Sequence, residues 1–119
     1  MKAFLVDDEP LARDRLRSLL DHSKSEVEII GESGQASDAV EQINKLKPDV
    51  VFLDIQMPGL DGFDVVSLLE KPIPYIVFVT AYDQYAIKAF EVHALDYLQS
   101  PFDWSVLRNV LRGLKTFLD

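Results

Sequence analysis

The stretch Val50-Val51-Phe52-Leu53-Asp54-Ile55-Gln56-Met57-Pro58-Gly59-Leu60-Asp61-Gly62 decides how this chain folds. Four apolar residues lead to a single carboxylate, and Pro58 and Gly59 then break the strand. An apolar run without polar alternation is a strand covered on both faces, which calls for a parallel sheet flanked by helices. Asp54 stands at the carboxyl end of that strand, where ligands and chemistry collect in such sheets. The competing reading is that Asp54 caps the following turn, since Asp is common ahead of Pro and Gly in loops. The remainder of the chain decides between them.

Working outward to the N-terminus, residues 2–7 form a second short apolar run that also ends on acids, Asp7-Asp8-Glu9. Pro10 then opens a helix with Ala12, Leu16, Leu19 and Leu20 on one face and Arg13, Arg15 and Arg17 off it. Residues 27–31 read as another strand. Ala36, Ala39, Val40, Ile43 and Leu46 make the apolar stripe of the next helix, which Lys47-Pro48 ends. Beyond Asp54, residues 62–70 form a short helix presenting Phe63, Val66 and either Leu68 or Leu69 to the sheet. Pro72 and Pro74 stop it.

Tyr75 to Thr80 is again an apolar strand, ending on a hydroxyl. Residues 84–92 form a fourth helix with Tyr85, Ala86, Ala89 and Phe90 inward, and residues 94–98, carrying Tyr97, form a fifth strand cut off by Ser100-Pro101. Asp103 caps a last helix with Val106 or Leu107, Val110, Leu111, Leu114 and Leu118 facing the core. Strands and helices alternate throughout, with crossovers long enough for right-handed parallel connections. The expected fold is therefore α/β: a doubly wound five-stranded parallel sheet with helices on both faces. The flavodoxin-like order 2-1-3-4-5 puts the three most apolar strands in the middle.

At 119 residues, 48% of them hydrophobic, the chain fits one folded domain that buries roughly two thirds of its unfolded surface. It has no cysteine, hence no disulfide framework or thiolate chemistry. It has no run of about 18 apolar residues and no basic leader before a hydrophobic segment. The expected setting is the cytoplasm, without a membrane association. A net charge of -8 argues against nucleic acid held by this segment, because phosphate backbones are bound by clustered Lys and Arg. The helical pattern reaches Asp119 without a stop signal, which leads us to expect a second domain after it.

With the first and third strands adjacent, Asp7 and Asp8 lie beside Asp54 at one sheet edge. Three carboxylates in one pocket repel, so one titrates high or a cation is drawn in. Oxygen ligands without His or Cys select Mg²⁺ or a similar hard ion. A carboxylate beside such an ion can attack phosphorus, because the metal neutralises charge while the pocket aligns the attack. Thr80, at the end of a neighbouring strand, can donate a hydrogen bond to a phosphoryl oxygen, with the backbone N–H of Ala81 assisting. Taken alone, Thr80 is equally a plain strand residue or cap.

Over its whole length the chain resembles the receiver domain of bacterial two-component response regulators. The residues that carry the likeness are Asp7-Asp8-Glu9-Pro10, the run from Asp54 to Gly62, Thr80-Ala81, and Tyr97 ahead of Pro101-Phe102. The texture of Glu9-Pro10-Leu11-Ala12-Arg13 and of Thr80-Ala81-Tyr82-Asp83-Gln84-Tyr85-Ala86 is similar to regulators of the LytR/AlgR (LytTR) type, which carry a C-terminal DNA-binding domain. The resemblance implies that Asp54 accepts a phosphoryl group from a histidine kinase. It further implies that Asp8, Asp54 and the carbonyl of Gln56 hold Mg²⁺, with Asp7 supporting them indirectly. Thr80 and Tyr97 would be a switch pair acting on the fourth helix, fifth strand and fifth helix, and a phosphorylation-linked homodimer would follow. The domain is then a switch rather than an enzyme of independent turnover.

One position departs from the family pattern. Ser100 stands where a Lys is expected before the Pro, and that Lys normally brings a cation to the pocket and then to the phosphoryl group. Weakened coupling to the output surface is the expected consequence, although the Ser100-Pro101 peptide can still be cis as in the family. This departure motivates the alternative of a pseudo-receiver, an interaction module not controlled by phosphate. A phosphatase acting through an aspartyl intermediate needs an acid two residues after the nucleophile, and Gln56 stands there. His22 and His93 read as solvated positions, Trp104, Arg108 and Arg112 lie off the core stripe of the last helix as a solvated face or a partner surface, the former favoured for any one of them, and Gly31-Glu32-Ser33-Gly34 lacks phosphate-loop spacing.

Overall fold

Side chains alternate across a strand, and in three strands here both sets are apolar. These are β1 (Lys2–Val6), β3 (Val50–Leu53) and β4 (Tyr75–Thr80) in the computed structural model, which describes residues 1–23 and 26–118. Phe4, Val6, Val51, Leu53, Ile76 and Phe78 point into one core. Ala3, Leu5, Val50, Phe52 and Val77 point into another on the opposite face. A sheet that is apolar on both sides requires two covering layers. Helices α2 (Ala36–Leu46), α3 (Gly62–Ser67) and α4 (Ala86–Glu91) lie over the first face, and α1 (Pro10–Leu20) and α5 (Trp104–Leu118) over the second. The edge strands are β2 (Glu28–Ser33) and β5 (Asp96–Gln99), and the sheet is parallel throughout with order β2-β1-β3-β4-β5. The expected α/β fold is the observed one.

Helix ends follow from local chemistry. Pro10 starts α1 at a position where its missing N–H costs nothing. Helix α2 ends on Lys47 in the left-handed conformation (φ 51°), immediately before Pro48. Asp61 and Asp64 form a reciprocal capping box at the start of α3: the Asp64 N–H donates to Asp61 Oδ1 at 2.8 Å and the Asp61 N–H to Asp64 Oδ2 at 3.0 Å. Asp103 caps α5 as expected, its Oδ1 accepting the Val106 N–H at 3.2 Å.

Several sequence expectations need correction. The first strand ends at Val6 rather than residue 7, and β2 runs to Ser33 rather than spanning 27–31, because its pairing with β1 continues to Val6. Helix α3 stops at Ser67, three residues early. Leu69, not Leu68, is the buried one. Helix α4 spans Ala86–Glu91 rather than 84–92, and Phe90 is 81% exposed with Ala86 also outward. A six-residue helix covers the sheet with less than two turns, so only Ala89 is buried. Likewise β5 is Asp96–Gln99 rather than 94–98. Leu46, at the last turn of α2, is largely exposed, and Leu107 rather than Val106 faces the core. Trp104 is half-buried, packed on the second core and stacked on His22 with ring centroids 4.9 Å apart. Whether α5 continues through Asp119 lies outside the described residues. Among those residues no helix is long and apolar enough to cross a membrane.

The glycine at position 62 couples the fold to its functional edge. A Cβ there would sit 2.5 Å from the Asp54 carbonyl oxygen and 3.0 Å from the Cα of Ile55, both backbone atoms. Nothing flexible can give way. Gly62→Ala should therefore destabilise the domain by about 2 kcal/mol, the usual cost of overpacking a tight site. Urea unfolding against wild type measures it, and an unchanged midpoint would contradict the close approach.

Candidate functional site

Parallel register gathers the strand ends at one rim. Val6 pairs with Leu53, Leu53 with Phe78, and Phe78 with Tyr97, so the residues that follow emerge side by side. Asp7 and Asp8 leave β1 there and Asp54 leaves β3. Each offers an oxygen, and the three oxygens lie within 4.8 Å of one another. Backbone hydrogen bonds fix the acids: the Asp54 N–H donates to the Val6 carbonyl at 2.9 Å, and the Asp7 N–H to the Ser33 carbonyl at 3.1 Å. Part of the capacity of two of the three side chains is already taken. Asp7 Oδ1 accepts the Glu9 N–H at 2.9 Å, and Asp54 Oδ1 accepts the Ile55 N–H at 2.8 Å.

Half-burial among like charges dominates the electrostatics. Loss of water raises the Asp54 carboxyl from 3.8 to about 7, with the charges of Asp7 and Asp8 adding to the rise and the Ile55 N–H opposing it. Burial also raises Asp7, opposed by the Glu9 N–H and by the charge of Arg13. Donors are all carboxylate oxygens, without imidazole or thiolate. A hard divalent ion suits such a set, and its charge would offset the burial and repulsion that together hold Asp54 high.

The other expected residues surround this cluster. Thr80 ends β4, buried, and its hydroxyl accepts the Tyr82 N–H at 3.4 Å. Ala81 follows it, exposed, at the head of the loop to α4. Tyr97 on β5 is half-buried and its hydroxyl donates to the Tyr82 carbonyl, which bridges β5 to that loop. Burial raises the Tyr97 phenol above its ordinary value. Ser100 follows β5, its N–H donating to the Thr80 carbonyl at 2.7 Å, and the Ser100-Pro101 peptide is cis. A cavity of about 40 Å³ has both Ser100 and Asp7 in its wall. Gln56 is exposed in the loop leaving Asp54, with its amide turned to Tyr85.

Two contributors were not read from the sequence. Arg13 appeared as one of three arginines off the apolar face of its helix. Its Nη1 instead donates to the Asp7 carbonyl at 2.5 Å while its Nε pairs with Glu32 at 3.1 Å, and Arg17 joins the same carboxylate. Helical spacing alone gives no sign that one arginine reaches the loop of a neighbouring strand. Tyr85 was assigned to the core, and it is, but its hydroxyl also serves the site loop.

The raised Asp54 carboxyl has a thermodynamic consequence. Between about pH 4 and about pH 7 the folded state keeps a proton on Asp54 that the unfolded chain has lost, so stability falls as pH rises through that window and levels off above it. Asp7 acts in the same direction. In chelator, thermal unfolding of wild type should therefore drop from pH 5 to pH 8, and Asp54→Asn should show a shallower drop and a higher Tm at pH 8. Parallel curves for the two proteins would contradict the charge strain.

Comparison with known proteins agrees with this geometry. The model of the response regulator receiver domain matches residues 3–112. The transcriptional regulatory protein BtsR of Salmonella typhi is 50% identical over 116 residues, covering 97% of this chain and 48% of that protein. The sensory transduction protein LytT of Bacillus anthracis is 52% identical over 117 residues, covering 97% of this chain and 47% of that protein. The chain thus spans about half the length of these curated relatives. Among solved structures, the response regulator protein TrrA of Thermotoga maritima in complex with Mg²⁺-BeF superposes with a TM-score of 0.83 at 28% identity, covering 95% of this chain and 97% of that one. The chain belongs to the response regulator receiver domain family, and within it resembles the LytR/AlgR (LytTR) type.

Proposed function

We propose that this receiver domain is a phosphorylation-controlled switch in which Asp54 accepts a phosphoryl group from the phosphohistidine of a histidine kinase, with Mg²⁺ required. The observation that carries this reading is the carboxylate triad Asp7, Asp8 and Asp54, gathered within 4.8 Å at the carboxyl ends of adjacent strands. Asp8, Asp54 and the Gln56 carbonyl hold the ion, and Asp7, tied to the Glu9 N–H, supports them indirectly. When bound, Mg²⁺ supplies positive charge that lowers the Asp54 carboxyl and neutralises the transferring group. Asp54 then attacks phosphorus in its ionised form: the new O–P bond forms as the P–N bond of the donor breaks.

The Thr80 hydroxyl and the Ala81 N–H donate to phosphoryl oxygens. About one to two units of added negative charge at the rim pull on Thr80, and Tyr97, bonded to the same loop through the Tyr82 carbonyl, follows. Output goes to the face made by α4, β5 and α5. Ile87 (76% exposed) and Phe90 on α4, with Val106 on α5, are apolar side chains turned to solvent there, which supports a phosphorylation-linked homodimer. Acidic composition argues against DNA contact by this domain, and a transcriptional regulatory relative about twice its length supports such contact by a C-terminal LytTR domain. The setting is the cytoplasm, and the domain has no independent turnover.

Ser100 favours one alternative, the pseudo-receiver that signals without phosphate. Serine brings no cation to the rim, and its short arm leaves the cavity beside Asp7 open.

Intact-mass measurement after incubation with Mg²⁺ and a small phosphodonor should show one added phosphoryl group, absent in Asp54→Asn and absent in chelator. No mass gain would leave the pseudo-receiver as the better reading. Ser100→Lys should strengthen phosphate-dependent dimerisation and alter the lifetime of the phosphoryl group. If sedimentation and decay rates both match wild type, the cation at this position has no part in coupling.

A further inference from the structure

Nε2 of Gln56 donates a hydrogen bond to the hydroxyl of Tyr85 at 2.7 Å, joining residues 29 apart in sequence. The two belong to different moving parts. Gln56 lies in the loop that leaves Asp54, two residues beyond the acid. Tyr85 immediately precedes α4, and its carbonyl accepts the Ala89 N–H at 2.9 Å, so it anchors the first turn of that helix.

The aromatic end of this bridge is built, not incidental. The half-buried Tyr85 ring sits 6.2 Å from the Phe63 ring and 6.3 Å from that of Tyr82, the latter edge-on. Phe63 is in turn covered by Lys88 of α4, whose Nζ is 4.6 Å above it. Packing therefore fixes where the phenol oxygen stands. Gln56, by contrast, is exposed, and the only constraint on its amide among the described residues is the Tyr85 hydroxyl.

We propose that the Gln56–Tyr85 hydrogen bond transmits cation occupancy of the acidic rim to α4, making Gln56 and Tyr85 positioning residues of the switch. This rests on the reading above, in which the Gln56 carbonyl is a ligand of the ion. A cation held by that carbonyl stills the backbone of residue 56. The side-chain amide then loses less freedom on meeting Tyr85, so the bond is made more of the time and the start of α4 opens less often. It enters the loop before α4 from the Asp54 side, whereas Tyr97 enters it from β5 through the Tyr82 carbonyl. It needs no phosphoryl group and no residue at position 100. Metal loading would therefore prepare the output helix before phosphorylation.

Hydrogen exchange of the chain, with and without Mg²⁺, tests this alongside Mg²⁺ titration calorimetry. In wild type Mg²⁺ should slow the α4 amides, that of Ala89 foremost, by about fivefold, the factor carried by one ordinary hydrogen bond. Tyr85→Phe keeps the ring and should bind Mg²⁺ as wild type does, yet lose the slowing at α4. Gln56→Leu should lose it too, and the double variant should lose no more than either. If Tyr85→Phe binds Mg²⁺ and retains the full slowing, the link is overturned while the metal reading stands. If calorimetry finds no Mg²⁺ binding, the metal reading fails and the link falls with it. Should Tyr85→Phe lose protection across the strands as well, Gln56→Leu makes the same comparison from the other end of the bond, with retention of the slowing again overturning the link.

Discussion

Repulsion among three carboxylates held at one rim is the constraint on which the rest depends. Asp7, Asp8 and Asp54 would separate if the chain allowed it, and the backbone does not. Asp7 and Asp54 directly follow strands whose side chains are buried on both faces and are tied by their N–H groups to neighbouring strands, so moving either means shifting a packed sheet, while Asp8 follows Asp7 in the loop. The apolar cores thus hold in place an arrangement that is unfavourable by itself. Functional sites commonly carry this kind of stored cost, and here burial first, with the charges of Asp7 and Asp8 added to it, raises the Asp54 carboxyl to about 7.

That cost gives the site its chemical bias. A group that titrates near neutrality is sensitive to any added charge, and a hard cation relieves it where a neutral ligand does not. Relief is local, but the residues that surround the rim are not independent of more distant structure. Thr80 accepts the Tyr82 N–H, Tyr97 holds the Tyr82 carbonyl, and Gln56 holds the Tyr85 hydroxyl. All three bonds converge on the loop between β4 and α4. The short helix that follows buries only Ala89, so little else holds it.

At position 100 the Ser100 N–H bonds the Thr80 carbonyl, and the residue differs from the lysine of the family pattern in its side chain. What differs is reach and charge. The wall between β5 and α1 is left with a small cavity, and the cation nearest Asp7 that the structure describes in a bond is Arg13, which grips the backbone carbonyl rather than the carboxylate.

Period and punctuation in the sequence determined the strands, the helices and the two covering layers, because apolar runs, Pro and Gly act through the few residues around them; the strand order, and with it the meeting of Asp7, Asp8 and Asp54, followed only from adopting the flavodoxin-like arrangement. Given that order the acidic rim was legible, since Asp7 and Asp54 directly follow apolar strands and parallel strands end together. Tertiary structure alone decided the length of α4 and the outward turn of Phe90, since a short helix can satisfy its apolar pattern with one small residue. It alone decided that Trp104 stacks on His22, that Arg13 reaches Asp7, and that Gln56 finds Tyr85. Those are contacts between long side chains from separate elements, whose geometry depends on how layers pack and leaves no periodic trace along the chain.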